Sequence, residues 1–230
     1  GFISVQGPHA RAIMGKLVDL DLSTEAFPYY TFQSSAIDAV PGIVARTGYS
    51  GEIGYEFFYS VEYGNHIWET VYAAGQEYGL LPCGLGALRS VRIEKKYPLY
   101  GLDLNETTSP LEAGLGWTVR FAKPDFVGKD ALQRQKDAGV TRSLVAIEFD
   151  GLDFLPALGD SITIGGDVVG NVTSADRGFF VGKSIAMGYV QPAVAKTDLL
   201  VQVTDKDGTT RTGSVDLKAA YDPDRTIVRG

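Results

Sequence analysis

The stretch RTGYSGEIGYEFFYS, Arg46 to Ser60, decides how the chain is read. Glycines at 48, 51 and 54 punctuate a run of aromatic and polar residues, which predicts a β-hairpin over Ile43 to Tyr59. Side chains alternate faces along a strand, so residues four apart share a face. An extended run therefore points Glu52 and Glu56 toward one site. It sends Tyr55 to the opposite face. The three glycines keep the backbone open beside the carboxylates, as a flat ligand or a tight turn requires. A hairpin with two solvated glutamates satisfies the same spacing, so the motif alone leaves both readings open.

Outward from the hairpin, the first half alternates strands and helices. Ile3 to Gln6 reads as a strand. Pro8 opens a helix whose Ala10, Ile13, Met14 and Leu17 form an apolar stripe. Tyr29 to Ile37 reads as a strand. Asn65 to Tyr78 is an amphipathic helix closed by Gly79. A further helix is expected within Pro82 to Lys96, and a short one over Lys129 to Ala138. In NETTSPLEAGLGW, Ser109, Pro110 and Glu112 have the spacing of a capping box at the start of a short helix, followed by a strand. Trp117 is expected in the core or in a pocket wall.

The character then changes. Leu144 to Phe149, Ser161 to Ile164, Asp167 to Thr173, Ala186 to Val190 and Leu199 to Thr204 are short and rich in β-branched residues. Gly165-Gly166 and Asp207-Gly208 are hairpin-turn signals. The fold class expected is α+β: a mixed α/β region over 1–139, then an antiparallel β-barrel over 140–230.

Composition narrows the function classes. The chain has 230 residues, 44% hydrophobic and 21% charged, with a formal net charge of −7. This suits a globular protein and argues against a nucleic-acid binder, which needs a basic face, and against an anionic membrane surface. No apolar run approaches the roughly 20 residues of a membrane span. One cysteine, Cys83, excludes an internal disulfide framework. Two scattered histidines, His9 and His66, make no convincing metal site, so no metal is expected. The lone cysteine fits a reducing compartment, and the location expected is cytoplasmic, or the mitochondrial matrix in a eukaryote.

Four separated segments in one order carry a resemblance: the hairpin, Pro82 to Phe121, DFVGKDAL at Asp125 to Leu132, and VTSADRGFFVGKSIAMGYV at Val172 to Val190. Together they resemble the aminomethyltransferase family, the T-protein of the glycine cleavage system with the related folate-binding domains of sarcosine and dimethylglycine dehydrogenases. The resemblance implies a folate-binding region followed by a barrel, with tetrahydrofolate as the cofactor and acceptor. It implies transfer of a one-carbon unit to N5 of tetrahydrofolate. It also places ISVQGPHARAIMGKL well inside the family's length, so the chain is expected to correspond to the C-terminal portion of a longer polypeptide.

Residue by residue, Glu56 matches the family's pterin-anchoring glutamate. A carboxylate accepts the pterin's ring N–H and exocyclic amine in a bidentate pair. Glu52 is expected to support the turn. Tyr49 and Tyr55 flank the carboxylate, where packing is the favoured role, and Tyr49 is kept as a candidate contact. The family's helix opens with an arginine that meets a carboxylate of the folate tail. Here that position is Leu88, and Arg89, one residue on, is turned about 100° around a helix. This arrangement is similar to the dehydrogenase branch. Arg92 and Glu94 are expected to form an internal ion pair. Tyr100 and Tyr221 complete the candidate folate contacts, and for Tyr221 packing on the last strand is the alternative. The family's catalytic aspartate lies in its N-terminal portion and no residue here matches that motif, so the catalytic residues are unknown and the chain alone is not expected to turn over. The implied partners are the folate and either a lipoyl carrier protein or a flavin dehydrogenase domain. A non-enzymatic relative in iron–sulfur cluster assembly would carry K-G-C-Y-x-G-Q, which is absent. A serine or cysteine hydrolase would need a G-x-S-x-G elbow or a paired histidine.

Overall fold

The computed structural model describes residues 1–230 and divides into two compact units, residues 1–91 with 222–230, and residues 92–221. In the first unit, four strands form one antiparallel sheet in the order β1-β4-β3-β2: β1 Phe2–Gln6, β2 Phe32–Ile37, β3 Val40–Ala45 and β4 Gly54–Tyr59. The hairpin of β3 and β4 is present, with an eight-residue connection from Arg46 to Ile53. Its register sets Ala45 opposite Glu56 and Gly42 opposite Tyr59. The expected strand from Tyr29 is shorter at its start, because Tyr30 has a positive φ of 67° that no strand residue adopts.

Period-two alternation explains how the sheet is covered. Tyr55 and Phe57 of β4 are fully buried, whereas Glu56 between them and Phe58 after them are not. The buried set joins Val5, Val44 and Phe27 with residues of two helices, α1 Ala10–Met14 and α2 Gly64–Gly75. Ile13 and Met14 of α1 and Ile67 and Val71 of α2 supply the helical stripe read from the sequence. Burying one such aliphatic side chain contributes about 1.5–3 kcal/mol. The helix α3 follows over Leu85–Glu94.

In the second unit, six strands close into an antiparallel barrel in the order β10-β5-β8-β7-β6-β9. These are β5 Ser143–Asp150, β6 Ser161–Ile164, β7 Asp167–Gly178, β8 Lys183–Val190, β9 Leu200–Thr204 and β10 Thr210–Asp216. Val145, Ile147, Phe149, Ile162, Val201, Val203 and Val215 fill its interior. The β6–β7 turn is Gly165-Gly166, with φ of 60° and 94°, the left-handed pair that a two-residue hairpin demands. The helix α4, Lys129–Ala138, matches its expected bounds.

Two local expectations are corrected here. The capping-box hydrogen bonds form: Ser109 N–H donates to Glu112 at 3.0 Å, and Glu112 N–H donates to the Ser109 hydroxyl at 3.1 Å. They close a series of turns, not a helix, and a single 3-10 turn at Gly116–Thr118 stands where a strand was expected to begin. The glycines at 114 and 116 break both periodicities. Trp117 sits on that turn and is half exposed, outside the cores.

The second correction concerns Arg92. Its buried guanidinium pairs with Asp103 at 2.7 Å and not with Glu94. Asp103 also accepts from the Leu99 N–H and from the Thr173 and Ser174 hydroxyls, and its backbone carbonyl accepts from Tyr189. A bulge in β7 between Val172 and Ser174 brings both hydroxyls to one carboxylate. Glu94 instead accepts the backbone N–H groups of Phe180 and Val181 at 2.8 and 3.2 Å. Each side chain thereby satisfies groups on a different part of the unit. On α3, moreover, side chains two apart face different ways.

Candidate functional site

The first unit contains a cavity of about 750 Å³. Three parts of the chain build its wall: strand β1, the loop and strand from Tyr49 to Tyr59, and the helical face of Trp68, Val71 and Tyr72 with the segment from Leu80 to Val91. Glu56 sits on β4 between Ser4 of β1 and Ala45 of β3. Both cross-strand neighbours are small, and Glu56 lines the cavity. Burial raises its pKa above the ordinary carboxylate range. An ionised, partly desolvated carboxylate gains most from a ligand that supplies two N–H donors. Glu52 also lines the cavity, but from the loop and not from a strand, so the two carboxylates share the wall without the strand-face alternation expected of them.

The loop is held by a residue that the sequence reading passed over. Gln6, the last residue of β1, donates through Nε2 to the Ser4 hydroxyl at 2.9 Å and to the Thr47 carbonyl at 3.2 Å. Its Oε1 accepts the Ser50 hydroxyl at 2.9 Å. The Ser50 hydroxyl in turn accepts the Glu52 N–H at 3.2 Å. A Cβ on Gly48 or on Gly54 would lie 2.0 Å from the Gln6 oxygen. These glycines are thus required by the glutamine that fills their space. The only local signal was the pair of glycines, because Gln6 lies more than forty residues away.

Of the other candidates, Tyr49 lines the cavity and Tyr55 is buried in the core, donating to the Leu22 carbonyl at 3.3 Å. Leu88 lines the cavity, and Arg89 is exposed and outside its wall. Tyr100 and Tyr221 belong to the second unit. Tyr100 is 68% exposed and donates to Glu106 at 3.2 Å. Tyr221 packs edge-on against Phe180, centroids 4.8 Å apart, with the Lys95 ammonium 5.7 Å from its ring. No group of three or more His, Cys, Asp or Glu side chains is arranged to hold a metal ion. No helix is long and apolar enough to cross a membrane.

Residues 1–123 match the family model described as the GCVT N-terminal domain, and residues 142–222 match the glycine cleavage T-protein C-terminal barrel domain. The chain belongs to the glycine cleavage T-protein family. The aminomethyltransferase of Halothermothrix orenii is 40% identical over 189 residues, 82% of this chain and 52% of that protein. Those of Symbiobacterium thermophilum and Bacillus subtilis are 40% and 37% identical over 87% of this chain, and 54% and 55% of theirs. The chain thus spans about half the length of the curated T-protein relatives it matches. A crystal structure of the glycine cleavage system aminomethyltransferase T from Bartonella henselae superposes with a TM-score of 0.83 at 24% identity. It covers 96% of this chain and 60% of that one, and it shares the fold.

Proposed function

We propose that this chain carries the pterin-binding part of a tetrahydrofolate-dependent aminomethyl transfer, with N5 of tetrahydrofolate as the acceptor. The observation that carries the reading is Glu56, a partly desolvated carboxylate facing a 750 Å³ cavity with aromatic walls. Its two oxygens suit the adjacent ring N–H and exocyclic amine of a pterin. Tyr49, Tyr59, Trp68 and Tyr72 offer faces or edges for a flat ring. Among the folate candidates, Glu56 and Tyr49 share this cavity. Arg89, Tyr100 and Tyr221 are proposed as folate contacts on the resemblance alone, and none of them lines this cavity. In this reading the folate-binding region extends over 1–139 and the barrel over 140–230.

The transfer develops positive charge at the migrating carbon, and a fixed carboxylate nearby lowers that barrier. The T-protein family places this duty on an aspartate whose motif has no match in these 230 residues. The isolated chain is therefore expected to bind tetrahydrofolate without turnover. The one-carbon donor is proposed to arrive on the lipoyl group of a carrier protein.

A second reading is favoured by Leu88 in the cavity wall with Arg89 outside it. It makes the chain the folate-binding part of a flavin-dependent sarcosine or dimethylglycine dehydrogenase, or of a related demethylase. Calorimetric titration with tetrahydrofolate tests what both share. Saturable binding that Glu56→Gln abolishes is expected. Equal affinity in the variant overturns the assignment of Glu56. Co-purification of a flavin with the full-length polypeptide would select the second reading.

A further inference from the structure

Glu52 and Glu56 are the charged side chains of the cavity wall, and both are acidic; no lysine, arginine or histidine lines it. The remaining lining is aromatic, aliphatic or uncharged polar. On α3 the residues in the wall, Leu85, Ala87, Leu88 and Val91, are all apolar, and the basic Arg89 lies outside. Wall charges of one sign, held among low-dielectric side chains, act on a bound ligand far more strongly than the same charges in water. Burial already holds the Glu56 carboxyl above its usual range. A second negative group brought into this space would meet repulsion and no counter-charge.

We propose that the cavity selects its ligand by charge. It takes a neutral or cationic heterocycle rich in N–H donors and gives no net affinity to an attached carboxylate tail. The inference rests on the folate reading above and sharpens it, because the recognised unit becomes the pterin head alone. Leu88 is then a specificity-determining residue. It leaves uncharged the point of the wall where a cation would reward an anionic tail.

The test compares two ligands on the same 230-residue chain, 6-methyltetrahydropterin and tetrahydrofolate, by calorimetry at moderate salt. The expected result is that the tail-less pterin binds within about threefold of tetrahydrofolate, or more tightly. Leu88→Arg should then move the ratio of the two affinities by about tenfold toward tetrahydrofolate, as one new ion pair in a partly desolvated site can. Leu88→Met, an uncharged swap of similar volume, should leave the ratio where it was. Tetrahydrofolate binding tenfold or more tightly than the pterin in the unmodified chain overturns the inference and leaves the folate reading standing. An unchanged ratio in a folded Leu88→Arg variant also overturns it. Binding of neither ligand overturns the folate reading itself, and this inference with it.

Discussion

The side-chain oxygen of Gln6 occupies the space that a methyl group on Gly54 would need, 2.0 Å from where that carbon would lie. One glutamine on an edge strand thereby fixes the entry to β4 and the loop that carries Tyr49 and Glu52. Gly54→Ala must push Gln6 out of its three hydrogen bonds or move the backbone. Overpacking of this kind costs about 1–3 kcal/mol. The expected result is a midpoint of chemical denaturation lowered accordingly, with tetrahydrofolate affinity lowered alongside. Gly54→Ala combined with Gln6→Ala should recover most of the stability. A double variant no better than the single one would show that the crowding lies elsewhere.

Glu56 carries a stability cost that the proposed pterin contact explains. Its folded pKa is raised by burial, so the folded protein binds the proton more tightly than the unfolded chain does. The sign follows: stability falls as pH rises from the ordinary glutamate range through the folded value, and the cost is complete above that value. Glu56→Gln removes the charge and should leave the ligand-free protein as stable as the parent or slightly more so at pH 7. Its affinity for tetrahydrofolate should fall more than tenfold, the scale of one charge-assisted pair. Thermal scans with and without ligand separate the two effects. A variant that loses both stability and affinity would instead mark Glu56 as structural.

Arg92 and Asp103 form a buried pair with side chains 1% and 0% exposed. Removing the charge from one partner of such a pair strands the other, at a cost of about 3–5 kcal/mol. Asp103→Asn should therefore destabilise the second unit severely, and the loss should show in the β-sheet signal on denaturation. Replacing both residues with apolar side chains should be milder than the single change.

Lys96 gives a pH signature of its own. It is partly buried, donates to the Leu217 carbonyl at 2.7 Å, and has its pKa lowered by burial to about 8. Between about pH 8 and the ordinary lysine range, the unfolded chain holds a proton that the folded protein has released. Stability contributed at this site therefore rises with pH through that window. Measured against Lys96→Gln, the parent protein should gain stability from pH 8 to pH 10. A constant difference would show that the ammonium is well solvated.

Much of this architecture could be read from local pattern. The helix over Lys129–Ala138 and the strand over Ser161–Ile164 match their expected bounds, since periodicity and flanking glycines act within a few residues. The barrel was read from five strands, and its sixth, Thr210–Asp216, was missed because its first three residues are exposed and polar. That strand exists through its pairing with β5 and β9, which no local window contains. Gln6, the Arg92–Asp103 pair and the exposure of Trp117 were illegible for the same reason. Their environments are assembled by residues distant in sequence. The capping box shows the reverse, with local hydrogen bonds forming as read while the glycines after them prevent the helix.

The barrel closes on itself, but the four-stranded sheet has two borders, and β1 is one of them. Its outer backbone groups have no partner strand within the sheet, and its side chains are also a wall of the cavity. Strand addition at that border and ligand entry therefore compete for the same ground. A ligand that fills the cavity doubles as a guard against edge-to-edge association, so light scattering at high protein concentration should fall when the cavity is occupied.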